Sequence, residues 1–328
     1  MVPNYNHAHH IKNQLNAILS QSVRPLEVIV VDDGSTDDSV AVIEQIAQTD
    51  PIVRLIRNER NRGVVATINR GLEACRGEFF YGAGADDLVS SGLFERIEGM
   101  IDRHPQAGIY FGMFRAIDEQ DRELCVAKPS RWTEETFVTP EMYLNEYLEV
   151  EHCIVSSSPA TVYRKRYLEE IGGFREELGS WCDSFALRAI ALKYGGCYTP
   201  HVLATYRCPQ VGFSHSQVRN PRLMMDITAR AAWLMRSPEL RDRFPESHVT
   251  RWERAARDYY ILQHHLRLRE SAFPEREGVP PAVRGPSGIG RRLIYSAKHV
   301  WFRLLASYHW RRLRAHVPDL SCYPGASR

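Results

Sequence analysis

The stretch richest in chemistry-bearing residues runs from Arg76 to Val89, where an apolar run (Phe79, Phe80, Tyr81) breaks into Gly82-Ala83-Gly84-Ala85 and ends on Asp86 and Asp87. Small residues ahead of a carboxylate pair let something bulky approach the backbone closely. Two adjacent aspartates cannot both be buried and charged without a partner, and a divalent cation is the natural one. The same pair also suits the cap of a helix beginning near Ser91. Taken alone, the stretch leaves both readings open.

The elements that would position this pair follow from hydrophobic periodicity. Met1 and Val2 read as the end of a strand cut short, which places the natural start of the chain upstream. Pro3-Asn4-Tyr5-Asn6 is a turn, and Ile11, Leu15, Ile18 and Leu19 recur at helical spacing between His9 and Gln21. Leu26 to Val31 is short, continuous and β-branched, as a strand buried on both faces would be. A helix is predicted from Asp38 to Thr49, a strand from Val53 to Arg57, a helix from Val64 to Cys75, and then the Phe79 strand. This alternation is the mark of a doubly wound α/β sheet with mostly parallel strands. Such sheets bind ligands beyond the carboxyl ends of their strands, where the polar turns Pro3–Asn6, Asp32–Ser35 and Ala85–Asp87 fall.

Farther on, the pattern predicts a helix from Leu93 to His104 and a strand from Gly108 to Phe114. Residues 118–150 read as polar and irregular, with helical character from Pro140 to Leu148. A loop from Ser156 leads into a strand ending at Tyr163, and a short helix follows, stopped by Gly172-Gly173. A helical stretch then runs to Tyr194, and a last strand spans Val202 to Tyr206. After residue 216 the composition turns helical, with segments at 221–236, 247–270 and 290–315 separated by prolines. The expected organisation is a nucleotide-binding and catalytic unit over 1–216 and a helical C-terminal region over 217–328.

Composition excludes several classes. Hydrophobic residues make up 44% and charged residues 25% of the 328, a balance of globular and not of disordered chains. The seven cysteines include no Cys-x-x-Cys pair, which argues against a disulfide framework or a zinc site and for a reducing compartment. No apolar run reaches the ~20 residues of a membrane helix. The N-terminus lacks the basic and apolar regions of a secretory signal, so a cytoplasmic protein is expected. No Gly-x-Gly-x-x-Gly follows the first strand, so a dinucleotide fingerprint is missing where the fold would put it.

Val2-Pro3-Asn4-Tyr5-Asn6, Val30-Val31-Asp32-Asp33-Gly34-Ser35, Asn61-Arg62-Gly63 and Ala85-Asp86-Asp87, in this order and spacing, resemble the inverting family 2 glycosyltransferases of GT-A fold. Val162-Tyr163-Arg164, Gly172-Gly173-Phe174 and Asp183 with Leu187-Arg188 extend the resemblance to about residue 206. It implies metal-dependent transfer of one sugar from a nucleotide-diphosphate sugar, a UDP-sugar first, to an acceptor hydroxyl. The acceptor would be a glycan or lipid-linked molecule in surface polysaccharide, glycolipid or glycan assembly. A non-catalytic nucleotide-sugar-binding or scaffold protein of the same fold is the alternative. A sugar nucleotidyltransferase is set aside because its Gly-x-Gly-Thr-Arg turn is replaced by Pro3–Asn6. The Gln-x-x-Arg-Trp signature of processive synthases is absent.

The resemblance also implies roles. Asp33, purely an acceptor when ionised, would take the N3–H of uracil, with the Pro3 backbone and the Tyr5 ring flanking the base; an Asx-turn or helix cap is the plainer use of Asp33. Asp86 would hold the ribose and Asp87 would ligate Mg²⁺ or Mn²⁺ on the diphosphate. Many relatives carry a further Asp ahead of this pair, so the metal site rests on Asp87 here. Asp183 would be the general base toward the acceptor hydroxyl, or the cap of helix 184–194. His215 would reach the metal or diphosphate, against a structural or solvated role. His7, His9 and His10 read as solvated residues at the start of a helix. Trp181 suits either a sugar face or the core.

Residues 278–318 hold eight Arg or Lys and no Asp or Glu. Leu293, Ala297, Val300, Trp301, Leu304 and Tyr308 line one face of the helix expected at 290–315. Such a helix suits an anionic membrane surface, peripheral on the inner face, or a docked position with its charges in water. No nucleic-acid motif accompanies the charge.

Overall fold

The computed structural model describes residues 1–127, 132–147, 158–208, 213–218 and 220–257. The basic helix expected at 290–315 and the side chain of His215 lie outside the described residues.

The N-terminal half follows the expected alternation. Strands β1 (Val2–Asn4), β2 (Val28–Asp32) and β3 (Val53–Arg57) are parallel, with Val30 paired to both Val2 and Leu55. They are connected by α1 (Ala8–Leu19) and α2 (Ser39–Thr49), and α3 (Val64–Ala74) leads to β4 (Phe79–Tyr81). The Met1 amino group donates to Tyr81 O at 2.9 Å and Ala83 N donates to Met1 O at 2.9 Å. These two bonds carry the backbone ladder from the short first strand to β4.

Beyond β4 the sheet becomes mixed. Its order continues β4-β9-β6-β10-β5, with β5 (Leu88–Val89), β6 (Ile109–Ile117), β9 (Thr161–Arg164) and β10 (Gly196–Arg207). Only β6 and β10 run parallel there; β9 is antiparallel to both of its neighbours. Two edge strands fall in the segment read as irregular: β7 (Glu123–Ala127) on β6 and β8 (Thr136–Val138) on β10. The last strand is also longer than the expected Val202–Tyr206. Its register shifts between Thr199 and Ala204, where Pro200 and His201 interrupt the pattern, and a proline inside a long strand belongs at such a bulge.

The two faces of the sheet are covered by different helices. One core joins Val2, Val28 and Val30 to Ile11, Leu15 and Ile18 of α1, Ile43 of α2, and Leu93, Ile97 and Met100 of α4 (Leu93–Arg103). The other joins Val65 and Leu72 of α3 to later helices. These include α5 (Pro140–Met142, continuing as a π turn to Tyr147), α6 (Lys165–Glu170), α7 (Cys182–Tyr194) and α9 (Pro221–Met235), with α8 (Phe213–Val218) lying between the last two in the chain. Helix α7 buries ten of its thirteen residues, from Cys182 to Leu192, and is therefore apolar nearly all round. Residues of α9 and of the helical segment 246–257, Trp252 among them, enter the same core as α7. Trp181 is core as well: it lies 4.6 Å from the Trp252 ring and is 7% exposed, so the sugar-stacking use does not hold.

Candidate active site

Two acidic turns form at the carboxyl edge of the sheet. At the end of β2, Asp32 accepts from Asn4 Nδ2 at 2.8 Å, from Ser35 N at 3.0 Å and from the Ser35 hydroxyl. Asp33 N donates to Asn4 O at 2.8 Å, which locks the Pro3–Asn6 turn beside it. The Asp33 carboxylate accepts from Asn58 Nδ2 at 2.6 Å, Arg62 N at 2.8 Å and Gly63 N at 2.9 Å. Gly63 sits at φ +91°, a conformation that suits glycine, so its N–H can face the carboxylate. Three of the roughly four acceptor positions of Asp33 are thus used to shape the Asn61–Gly63 turn. Tyr5 is 42% exposed beside them.

The turn after β4 is held from two sides. Gln14 of α1, fully buried, donates to Gly84 O at 2.9 Å and accepts from Val89 N at 3.2 Å. One helical repeat on, Gln21 donates to Ser90 O at 3.1 Å and accepts from Leu93 N at 3.0 Å. From the other side, Arg207 at the end of β10 donates its backbone N–H to Asp87 Oδ1 at 2.9 Å. Its guanidinium reaches Asp86 O at 3.2 Å, Asp118 O at 3.1 Å and Asp121 Oδ1 at 2.7 Å. None of these partners is near the turn in sequence.

That backbone donor is the only hydrogen bond to the Asp87 carboxylate among the described residues. Asp87 retains some surface, but its carboxylate lies deep among protein atoms. Burial, and after it the charge of Asp86, push its carboxyl up to about 8. The Tyr206 phenol is raised too, by burial first and then by Asp87, Cys208, Asp86 and Asp183. One hydroxyl therefore feels three of the sequence-predicted aspartates, two from the turn after β4 and one from α7.

Asp183 is in the first turn of α7 and not at its cap, which is Trp181. It borders a cavity of about 140 Å³ that Val64, Ile68, Gly82, Ser180, Phe213 and Ser214 also line. Cys182 is 9% exposed, and burial followed by the Asp183 charge holds its thiol well above the usual range, which disfavours a thiolate nucleophile. His10 is closer to the site than its solvated reading implied. Its imidazole is lowered by burial, then by His9 and Arg207, and raised by Asp86.

This arrangement can be set beside known proteins. The glycosyl transferase family 2 description matches residues 1–172, more than half of the chain. The chain belongs to that family. It is a glycosyltransferase, and its fold is GT-A: TarS from S. aureus, solved with UDP-GlcNAc, superposes with a TM-score of 0.64 at 20% identity, covering 84% of this chain and 75% of that one. The mannosyltransferase PcManGT from Pyrobaculum calidifontis, solved with GDP-Man and Mn²⁺, superposes with a TM-score of 0.57 at 21% identity, covering 98% and 86%. Among curated relatives, MT1568 of Mycobacterium tuberculosis (strain CDC 1551 / Oshkosh) is 27% identical over 72% of this chain and 75% of its own length. The succinoglycan biosynthesis protein ExoO of Rhizobium meliloti (strain 1021) is 30% identical over 60% of this chain and 56% of its own. The chain spans less than two thirds of the length of several of the curated relatives it matches.

GT-A glycosyltransferases typically use a divalent metal, and the turn after β4 fits one. A Cβ built on Gly84 meets Asp87 Oδ2 at 2.6 Å, so the absence of a side chain there is what makes room for the carboxylate. An under-bonded, buried, like-charged carboxylate is what a hard cation stabilises.

Proposed function

We propose that the chain transfers a single sugar from a nucleotide-diphosphate sugar, with UDP as the nucleotide, to an acceptor hydroxyl with inversion. The observation that carries the reading is Asp87: a buried carboxylate with one donor, raised by burial and by Asp86, at the carboxyl edge of the sheet. The nucleotide sugars bound by TarS and PcManGT support a donor of this class.

In this reading the Pro3 backbone and Tyr5 ring flank the base, and the remaining acceptor position of Asp33 takes the uracil N3–H. Asp86 takes a ribose hydroxyl. Asp87 would hold Mg²⁺ or Mn²⁺, and a metal held there would supply Lewis-acid stabilisation of the departing diphosphate. Asp183 accepts the acceptor hydroxyl's proton as that oxygen bonds to the anomeric carbon and the bond to the phosphate oxygen breaks. Displacement from the opposite face inverts the centre without a covalent intermediate. The acceptor is a glycan or lipid-linked hydroxyl in surface polysaccharide or glycolipid assembly. Residues 1–216 form the catalytic unit, and the basic segment 290–315 seats the enzyme on an anionic membrane on its cytoplasmic side, with no role for nucleic acid.

A thermal-shift screen of UDP-, GDP-, dTDP- and CDP-sugars with Mn²⁺, followed by donor-hydrolysis assays, tests this. The expected result is stabilisation by UDP-sugars and slow hydrolysis that Asp87→Ala and Asp183→Asn both remove. Tight binding with no turnover across a broad donor and acceptor panel would establish the non-catalytic alternative.

A further inference from the structure

At the opposite end of β10 from Arg207, three side chains of different donor type converge. Cys197 is the second residue of that strand and pairs with Phe137 of β8. Glu135 immediately precedes β8, and His104 caps the C-terminus of α4. A ring nitrogen of His104, a carboxylate oxygen of Glu135 and the Cys197 sulfur all lie within 4.8 Å of one another. Their positions in sequence are far apart, so no Cys-x-x-Cys spacing announces them.

Two of the three side chains are held by neighbours. The His104 ring stacks at 14° on Phe137, and its backbone carbonyl accepts from Tyr110 OH at 2.8 Å. Arg103 grips both Glu135 oxygens, at 2.7 and 2.8 Å, as an outer-shell partner does for a ligating carboxylate. Cys197 is fully buried, and no described residue hydrogen-bonds its thiol. His104 and Glu135 are about a quarter exposed, so the group opens to solvent above a buried sulfur.

We propose that His104, Glu135 and Cys197 form a transition-metal site of the zinc class, with its fourth position open to water. The mixed nitrogen, sulfur and oxygen set selects a borderline cation over Mg²⁺ or Ca²⁺. Zinc–ligand bond lengths place tetrahedral ligand atoms about 3.5 Å apart. His104 Nε2 and Glu135 Oε1 are already 3.8 Å apart, so two part-exposed side chains need only small movements. On binding, the thiol proton goes to solvent and a metal–thiolate bond forms. Thiolate and carboxylate together then neutralise a divalent ion. The ten residues from Cys197 to Arg207 set this site roughly 30 Å from the donor turn at ~3.3 Å per residue. It therefore stands or falls apart from the glycosyl-transfer reading, tying α4 to the β8–β10 edge.

The test is a Co²⁺ titration of the chelator-stripped full chain, followed by displacement with Zn²⁺. A near-ultraviolet thiolate-to-Co²⁺ band saturating at one equivalent is expected. It should persist in Asp87→Asn and in Cys125→Ser, whose thiol is exposed on β7, and vanish in Cys197→Ser. Because a serine there alters the core, Glu135→Gln is the second variant. Its substitution is near the surface and should weaken Zn²⁺ binding about tenfold or more. Absence of the band in the unmodified chain, its persistence in Cys197→Ser, or unchanged Zn²⁺ affinity in Glu135→Gln overturns the proposal.

Discussion

Asp32-Asp33 ends β2 and Asp86-Asp87 follows β4, two acidic dipeptides on one edge of one sheet. At the first, both carboxylates are 3% exposed or less, and each takes several hydrogen bonds from nearby turns. At the second, the Asp87 carboxylate has one backbone donor and a like-charged neighbour. Equal chemistry in sequence thus becomes a finished clamp in one place and an incomplete site in the other. The difference lies in the supply of donors. The Asn58–Gly63 segment wraps Asp33, whereas the side chains that support the second turn, Gln14 and Arg207 through its Nε, bond to its backbone and leave its carboxylates wanting charge.

Substitution at the two pairs should separate activity from stability. The largest effect is expected for Asp87→Asn: transfer should fall on the order of 10³-fold, with a urea midpoint at pH 8 no lower than that of the unmodified protein. Asp33→Ala should lower stability as well as donor binding. It removes three hydrogen bonds; Asn58 Nδ2 keeps Thr67 Oγ1 at 3.2 Å and Gly63 N keeps Asn61 Oδ1 at 3.0 Å, while Arg62 N loses its acceptor, so the loss should be about 1–3 kcal/mol. A midpoint that falls for Asp87→Asn and holds for Asp33→Ala would reverse the comparison.

The pH dependence sharpens it further. The folded-state value of Asp87, about 8, lies above its ordinary 3.8, so folding favours the protonated carboxyl. Without metal, the associated destabilisation is absent below about pH 4, grows as pH rises, and is complete above about pH 8. It should amount to a few kcal/mol at most. Melting curves across that range should show the slope in metal-free protein and lose it in Asp87→Asn or with Mn²⁺ added. The smallest effect should come from Gln14→Leu, which removes two hydrogen bonds from the turn. It should cost about 1–2 kcal/mol and lower turnover severalfold, measured by denaturation and by donor hydrolysis.

The alternation from α1 to β4 was legible because each element there carries its own period, and the Asp86-Asp87 turn was legible because small residues precede it; Pro3 and Asn4, read as a turn, belong to β1, and the two-residue β5 was not foreseen. The antiparallel strands β7 and β8 were not, since short edge strands in a polar segment have little apolar pattern to show. Pro200 and His201 hid the first half of β10 for a similar reason. Gln14, Arg207 and Tyr206 escaped notice because their roles depend on partners far away in sequence, for which no local spacing exists. Asp33 was visible as an acceptor, and Asn61-Arg62-Gly63 as a turn, but only the fold shows that one closes around the other.

The bond from Arg207 to Asp87 spans 120 residues, and this has a consequence for the order of assembly during synthesis. Strands β1 to β3 and their helices can pair as soon as they leave the ribosome. The turn after β4 has to wait for β10. At about 5–20 residues per second that delay is roughly 6–24 seconds, during which the acidic loop has the bonds from Gln14 and Met1 but not those from Arg207. The Asp32-Asp33 turn is thus built early from neighbouring segments, and the Asp86-Asp87 turn is completed by the last of the described strands to arrive.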